Sequence, residues 1–242
     1  MKENLVIIPT YNEIENIEAI IKAVMELEVE FHVLIVDDGS PDGTAAKVKN
    51  LQKVFDKRLH LIEREGKLGL GTAYIRGFQY AIEQGYEFVY EMDADFSHNP
   101  KDLVRLHDAC ARQGNDLAIG SRYVTGVNVV NWPMSRVLMS YFASKYVKFI
   151  TGLPVNDATA GFKCYRISVL KKINLDKINF VGYAFQIEMK FLTWKYGFKI
   201  IEVPIIFTDR TLGTSKMSSG IFKEAFFGVM KLRLGSMFKK YA

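Results

Sequence analysis

Apolar residues recur along the first 120 residues in short runs that alternate with longer amphipathic stretches. Short apolar runs predict buried strands, and apolar residues three or four positions apart predict helices. The predicted strands are 5–8, 32–36, 59–63, 88–92 and 116–119. The predicted helices between them are 14–27, 44–55, 72–84 and 101–112. This alternation predicts an α/β fold with a single, mostly parallel sheet flanked by helices.

The alternation stops after residue 123. Further helices are predicted at 134–150 and 184–196, and strands near 162–165 and 199–203. A last helix is predicted at 218–241, where bulky apolar residues recur at helical spacing among basic ones. We therefore divide the chain into an α/β domain at 1–215 and a basic amphipathic helix at 216–242. Such a helix either lies in a membrane interface or packs on the domain with its lysines in water.

The charge distribution separates the end of the chain from the rest. Residues 215–242 contain six basic residues and one acidic residue, which accounts for the whole net charge of +5. A nucleic-acid-binding protein usually carries its basic residues on the binding face of the folded domain, so this distribution argues against nucleic acid as a partner. It is compatible with attraction to a membrane surface that contains anionic lipids.

Targeting and redox signals are few. The first apolar run has five residues, which is too short for the core of a signal peptide. No apolar run reaches the length of a transmembrane helix. The two cysteines and four histidines show neither a disulfide framework nor zinc-ligand spacing. We expect a cytoplasmic protein, attached peripherally to the cytoplasmic face of a membrane.

Two carboxylates follow the strand predicted at 88–92. Asp93 and Asp95 lie two residues apart, so their side chains point the same way if the segment is extended. Two such oxygen ligands suit Mg²⁺ or Mn²⁺, which bind proteins through one or two carboxylates together with substrate phosphates. The alternative is a solvated carboxylate pair, or a cap of the helix predicted at 101–112.

Polar residues also follow the first two predicted strands, and ligands of open parallel sheets bind at the carboxyl ends of the strands. Tyr11 is a candidate for a base pocket, and Glu13 and Asp38 are candidates to accept hydrogen bonds from hydroxyl groups. The alternative for each is turn or helix-start chemistry. The glycine-rich segment GKLGLGT matches neither the dinucleotide fingerprint nor the P-loop. The sequence therefore predicts a mononucleotide diphosphate held through a metal.

Eight ordered segments carry a resemblance to a known family: PTYNE, DDGSPDGT, KLGLGTAY, MDADFSHNP, GSRY, DATAGFKCY, FQIEM and EVPIIFTDR with TSK after it. From about residue 4 to about residue 220 the chain resembles the dolichol-phosphate mannose synthases, a group within the inverting, GT-A-fold glycosyltransferases of family 2. The resemblance implies the GT-A fold and a divalent cation, Mg²⁺ or Mn²⁺. It also implies a nucleotide-sugar donor, usually GDP-mannose, and a polyprenyl phosphate as acceptor.

The resemblance assigns roles to matching positions. The residues that would bind the nucleotide are Pro9, Tyr11, Glu13, Val36, Asp38, Asp93 and Ala94. Asp95 would bind the metal. Ser97 would be a weak ligand at a position where some relatives have Gln, which leaves the protein's share of the metal ligands incomplete.

Basic residues would handle the phosphates. The resemblance implies that Arg210 and Lys216 contact the diphosphate, and that Arg122, Arg136 and Ser140 bind the acceptor phosphate. Arginine suits this task because its planar fork matches phosphate oxygens. The alternative for Arg122 is a structural salt bridge, and for Arg136 it is a surface ion pair.

The segment FQIEM departs from relatives that glycosylate hydroxyl groups and generally carry a Glu-Asp pair with Asp as the base. Here Gln186 cannot usefully take a proton, and Glu188 lies in a predicted helix. This favours an acceptor that is already anionic and needs no base. Asp157 would either hydrogen-bond the sugar or brace a loop. The alternative functions are a glucosyltransferase that uses UDP-glucose, and a nucleotide-binding regulatory protein on the same fold.

Overall fold

The computed structural model describes residues 3–182, 184–210 and 220–237. The strands are β1 (Asn4–Thr10), β2 (His32–Asp37), β3 (Leu59–Glu63), β4 (Phe88–Glu91), β5 (Leu117–Ser121), β6 (Val129–Val130), β7 (Lys163–Arg166), β8 (Ile200–Pro204) and β9 (Phe207–Thr208). The α-helices are α1 (Ile17–Met25), α2 (Thr44–Gln52), α3 (Leu70–Gln84), α4 (Asp102–Ala111), α5 (Met134–Thr151), α6 (Ile167–Lys172), α7 (Ala184–Lys195) and α8 (Gly220–Met237). A short 3₁₀ helix spans Leu175–Lys177.

Seven strands form the main sheet, in the order β3-β2-β1-β4-β7-β5-β8. Neighbouring strands run parallel, except that β7 is antiparallel to both β4 and β5. Strands β6 and β9 form a separate parallel pair. The predicted α/β fold with one mostly parallel sheet is confirmed. Strand β7 is antiparallel because the chain, after β5, β6 and α5, re-enters the sheet at the edge where β4 and β5 end.

Both faces of the sheet are buried, which explains why the central strands are apolar at nearly every position. Leu5 and Ile7 of β1 face a cluster that includes residues of α3, α6 and α7. Val6 and Ile8 face a second cluster with α1, α2 and α4. Gly77 lets α3 lie close to β1, because a Cβ atom at this position would be 2.7 Å from the Ile7 Cδ1 atom.

The predicted elements differ from the observed ones mainly at their ends. The helix predicted at 14–27 begins at Ile17, and the strand predicted at 162–165 is shifted by one residue to Lys163–Arg166. The two-residue strands β6 and β9 and the six-residue helix α6 were not predicted. Segments this short show no hydrophobic period that a sequence pattern can detect.

Helix α8 packs on the domain. Val229 is buried, and the ring of Tyr146 on α5 stacks on Phe226 with a centroid distance of 4.8 Å. Phe227, Met230 and Leu234 remain exposed, so the packing leaves apolar side chains on the outer surface. The predicted division between residues 215 and 216 lies outside the described residues and stays a prediction. Within the part of the chain that the structure describes, no helix is both long and apolar enough to cross a membrane.

Candidate active site

A cavity of about 520 Å³ opens at the carboxyl ends of β1, β2, β4 and β5. Most residues implicated by the sequence line it, namely Pro9, Tyr11, Glu13, Asp38, Asp93, Ala94, Asp95, Arg122, Arg136, Ser140 and Arg210. Val36 is instead fully buried in the core, and Ser97 is not among the lining residues. Lys216 lies outside the described residues. The structure therefore brings these side chains together, while the role of each one stays a prediction.

Asp37 holds the loops after β1 and β2 together. Its carboxylate accepts hydrogen bonds from Thr10 Oγ1 at 2.7 Å and from the Ser40 backbone N–H and Oγ at 2.9 and 2.6 Å. Ser40 Oγ accepts in turn from the Asn12 N–H at 2.9 Å. The turn chemistry considered for this segment is thus carried by Asp37, which leaves its neighbour Asp38 to line the cavity.

Asp38 has a basic partner that the sequence did not indicate. Arg64, directly after β3, places its Nε and Nη2 atoms 2.6 and 2.5 Å from Asp38 Oδ1. Burial raises the pKa of Asp38 above its ordinary value, and the guanidinium of Arg64 acts against that rise. Arg64 also donates to Thr72 Oγ1 at 2.8 Å and so ties the glycine-rich segment to the same end of the cavity. Its position at the end of a strand was the only signal in the sequence.

Asp93 and Asp95 concentrate negative charge in the middle of the cavity wall. Asp95 Oδ2 lies 2.8 Å from Arg210 Nη2, and its Oδ1 accepts from the Ser97 backbone N–H at 3.1 Å. Desolvation in the cavity wall and the charge of Asp95 raise the pKa of Asp93 above its ordinary value, while the Asp93 side chain as a whole is 43% exposed. Because two carboxylates here compete for one arginine, the site has a surplus of negative charge that a cation would relieve.

A metal would need ligands beyond the protein. Within residues 3–182, 184–210 and 220–237, no three His, Cys, Asp or Glu side chains are close enough together to hold an ion. The carboxylates of Asp95 and Asp93 fit a hard cation that takes its remaining ligands from water and phosphate oxygens. Ser97 contributes a backbone N–H to Asp95.

Arg122 forms a buried ion pair with Asp157. Its Nε and Nη2 atoms donate to the two Asp157 oxygens at 2.7 and 2.6 Å, and its backbone N–H donates to Oδ2 at 3.0 Å. Burial favours a higher pKa for Asp157, but Arg122 outweighs it and holds this pKa below its ordinary value. Arg122 therefore forms the structural salt bridge that was its alternative role. Asp157 has the bracing role that was its own alternative, because it holds both the side chain and the backbone of Arg122 at the cavity wall.

Arg136 and Ser140 enter the cavity from α5, four residues apart on one face of the helix. The Arg136 guanidinium lies 4.1 Å from the ring centroid of Trp132, and its Nη1 atom donates to Asp209 Oδ1 at 2.9 Å. The expected alternative of a surface ion pair is thus present, with both partners partly exposed. Trp132 and Asp209 therefore orient the Arg136 side chain, which also lines the cavity.

Comparison with known proteins identifies the family. Residues 5–174 match Glycosyl transferase family 2. The chain belongs to glycosyltransferase family 2. This assignment confirms the resemblance and the prediction of a glycosyltransferase.

Two relatives of this family-2 glycosyltransferase are similar over nearly the whole chain. A polyprenol monophosphomannose synthase of Mycolicibacterium smegmatis is 47% identical over 228 residues, covering 94% of this chain and 86% of the relative. An undecaprenyl-phosphate mannosyltransferase of Micrococcus luteus is 45% identical over 232 residues, covering 96% and 94%. The fold is also that of the glucosyl-3-phosphoglycerate synthase of Mycobacterium tuberculosis, with a TM-score of 0.66 at 16% identity over 97% of this chain and 79% of that one.

Gln186 and Glu188, the polar residues of the segment FQIEM, have separate places in the glycosyltransferase. Gln186 lines the cavity. Glu188 turns away from it and accepts hydrogen bonds from the backbone N–H groups of Asn179 and Phe180 at 2.9 and 3.1 Å. Glu188 therefore fastens the loop before α7, in agreement with the expectation that it is not a catalytic base.

Proposed function

We propose that this glycosyltransferase moves mannose from GDP-mannose to a polyprenyl phosphate and inverts the configuration at the anomeric carbon. The observation that carries the proposal is one cavity whose wall includes both the carboxylates of Asp93 and Asp95 and the guanidinium groups of Arg122 and Arg136. We call the part of the wall with Asp93 and Asp95 the acidic end and the part with Arg122 and Arg136 the basic end. The names of the relatives agree with it, since one describes a polyprenol phosphomannose as product and the other undecaprenyl phosphate as the acceptor of mannose.

The acidic end suits the donor. Tyr11, Glu13 and Asp38, which line the cavity, would bind the nucleoside, and Asp95 would hold Mg²⁺ or Mn²⁺ together with oxygen atoms of the diphosphate. A divalent cation there would neutralise the charge that develops on the leaving diphosphate. The glucosyl-3-phosphoglycerate synthase, which has the same fold, was crystallised with Mn²⁺ and uridine diphosphate. That complex supports a cation and a nucleoside diphosphate bound together on this fold.

Arg210 would serve the same end of the reaction. Its Nη2 atom lies 2.8 Å from Asp95 Oδ2. A diphosphate has more negative charge than one carboxylate, so it would draw the guanidinium from Asp95 as the cation takes that position. We further propose that Lys216 closes over the diphosphate beside Arg210.

The basic end suits an acceptor that is already anionic. A phosphate monoester needs orientation and no base, and arginine forks bind its oxygens in pairs. Arg136 and Ser140 face the cavity from α5, and Arg122 lies beside them on its Asp157 support. An acceptor oxygen held there would attack the anomeric carbon in line with the leaving diphosphate and give a β-linked sugar phosphate.

A membrane surface would present such an acceptor. Helix α5 has one face in the cavity and another on which Met134, Leu138, Phe142 and Phe149 are exposed. The neighbouring helix α8 adds exposed apolar residues. We propose that the exposed apolar surfaces of α5 and α8 lie against the cytoplasmic leaflet of a membrane. The basic C-terminal residues 216–242 would then be near anionic headgroups.

The test is transfer of labelled mannose from GDP-mannose into an organic-extractable product in the presence of a polyprenyl phosphate. Unphosphorylated polyprenol is the matched control for the acceptor, and EDTA followed by Mg²⁺ or Mn²⁺ tests the cation. We expect label in the lipid phase only with the phosphorylated acceptor and the cation. Label from UDP-glucose in place of GDP-mannose would overturn the proposed donor. Label in neither case would overturn the proposed reaction.

A further inference from the structure

A buried charged cluster lies directly beneath the cavity. Glu91, the last residue of β4, is opposite Lys163 of β7 in the antiparallel register, and the two side chains pair at 2.9 Å. Both are fully buried. Gln186, in the first turn of α7, covers this pair and is the member of the cluster that lines the cavity.

The pair fixes the orientation of the Gln186 amide. Gln186 Oε1 accepts a hydrogen bond from Lys163 Nζ, and Gln186 Nε2 donates to Glu91 Oε2 at 2.8 Å. A flipped amide would place its NH₂ group against an ammonium and its oxygen against a carboxylate. Both contacts would be repulsive at a site where the charges are hardly screened. Only one orientation of the amide is therefore compatible with the cluster.

In this orientation the Gln186 Nε2 atom has one N–H group that Glu91 does not use. A glutamine Nε2 carries two N–H groups. Within the described residues its recorded acceptor is Glu91, which uses one of them. Gln186 is 2% exposed and lines the same cavity as Asp95 and Arg122, so a donor sugar bound in this cavity could reach it. A buried N–H group strongly favours a ligand with an acceptor oxygen at this position.

We infer that Gln186 binds the transferred sugar, by donating its second Nε2 hydrogen to a sugar hydroxyl. Glu91 and Lys163 are positioning residues that keep the donor side of the amide towards the cavity. The inference deepens the proposed function and rests on it, since it names a contact within the sugar site of the same cavity. It also gives a physical reason for an amide at this position, because a carboxylate here would face Glu91 and could not donate.

Lys190, one turn after Gln186 on α7, stabilises the same part of the cavity wall. Its Nζ atom donates to the carbonyl oxygens of Ala158 and Ala160 at 2.9 and 2.6 Å. Burial lowers the pKa of Lys190 well below its ordinary value. Thr159, Ala160 and Gly161 line the cavity, so Lys190 joins this loop to the helix that carries Gln186. The Gln186 amide is therefore held in place by the Glu91–Lys163 pair, and the neighbouring cavity loop is held by Lys190.

The test compares three substitutions in the full chain. Gln186→Met removes the amide but leaves the Glu91–Lys163 pair intact, so the fold should survive. Gln186→Glu keeps the size and replaces the donor by an acceptor. Thr193→Val is the matched control, because Thr193 is buried on α7, its hydroxyl donates to Met189 O of the same helix at 2.7 Å, and it does not line the cavity. Circular dichroism and thermal melting establish that each variant is folded.

The readouts separate the sugar from the nucleotide. For Gln186→Met we expect an unchanged Kd for GDP and a fall in kcat/KM for GDP-mannose of about tenfold, the worth of one good hydrogen bond. We expect the same direction for Gln186→Glu and no change for Thr193→Val. In wild type, one GDP-mannose analogue that lacks a single sugar hydroxyl should lose about tenfold in kcat/KM. In Gln186→Met that analogue should lose nothing.

Two results would overturn the inference. One is an equal loss of GDP affinity and transfer in Gln186→Met, which would make the residue structural. The other is an unchanged penalty for every deoxy analogue in that variant. A wild type that transfers only from another nucleotide sugar would refute the proposed donor instead, and the deoxy series made on that donor would still decide whether Gln186 binds the sugar.

Discussion

Asp157→Ala should destabilise the protein far more than its exposed counterpart Asp209→Ala. Each substitution removes the carboxylate from an arginine at the basic end of the cavity. Asp157 is fully buried and receives three hydrogen bonds from Arg122 at 2.6 to 3.0 Å. Asp209 accepts one hydrogen bond from Arg136 at 2.9 Å and one from the Arg210 backbone N–H at 3.2 Å, and the Asp209 and Arg136 side chains are about 30% exposed. Both pairs join an arginine to a carboxylate, and they differ in burial and in the number of hydrogen bonds between the partners.

The expected magnitudes follow from that difference. Removing one partner of a buried ion pair costs about 3–5 kcal/mol, because the remaining charge is left without compensation. An exposed pair contributes roughly 0–1 kcal/mol. For a domain of this size, 1 kcal/mol lowers Tm by about 2–4 °C. Asp157→Ala should therefore lower Tm by roughly 6–20 °C, and Asp209→Ala by at most about 4 °C.

Urea titration at pH 7 measures both free energies of unfolding. Burial opposes ionisation of Asp157, but Arg122 keeps the pKa of the folded carboxyl below its ordinary value. A lowered pKa stabilises the fold above the unfolded value of about 4, and the gain is lost as the pH falls below it. The gap between wild type and Asp157→Ala should be complete at pH 7 and narrow in acid. A loss below about 1 kcal/mol, or a gap independent of pH, would refute the reasoning.

Three further results are expected. Asp95→Asn should abolish cation-dependent transfer while the circular dichroism spectrum stays that of wild type, and full activity would contradict the metal site. Arg136→Lys keeps the charge but loses the fork, so KM for the polyprenyl phosphate should rise about tenfold with an unchanged Kd for GDP, and equal changes in both would assign Arg136 to the donor. Phe149→Ser should weaken binding to anionic vesicles at unchanged Tm, because Phe149 is 86% exposed on α5. Val54→Ser, at a residue that is 72% exposed elsewhere, is the control, and equal losses would contradict a membrane role for α5.

The acidic end of the cavity was predictable because it is built from local signals. Tyr11, Asp38 and Asp93 each follow an apolar strand, and parallel strands bring their carboxyl ends to one edge. The sequence could therefore indicate that these residues meet without any knowledge of the loops. Arg136 and Ser140 are indicated by the resemblance alone, because no local pattern places α5 beside the cavity.

The partners of the charged residues were not predictable in the same way. Lys163 lies between Phe162 and Cys164 along the chain, so in a strand its side chain points to the opposite face of the sheet from theirs. Its partner Glu91 is identified only by the antiparallel pairing of β7 with β4, which joins residues far apart in the chain. Arg64 and Asp38 likewise meet across the loops of two strands. Pairings of this kind depend on the order of strands in the sheet, which local patterns do not determine.

The place of β7 in the sheet also sets an order for folding during synthesis. Strands β1 to β4 can pair as soon as they leave the ribosome, since each is a neighbour of an earlier or adjacent strand. In the described part of the chain, β5 pairs with β7 and β8, and β7 enters between β5 and β4 as an antiparallel strand. Until residue 166 is made, the edge of β4 stays unpaired, which is a hazard for aggregation. We therefore expect the half with Tyr11 and Asp93 to form early, and the half with Arg122, which depends on contacts between residues far apart in the chain, to form last.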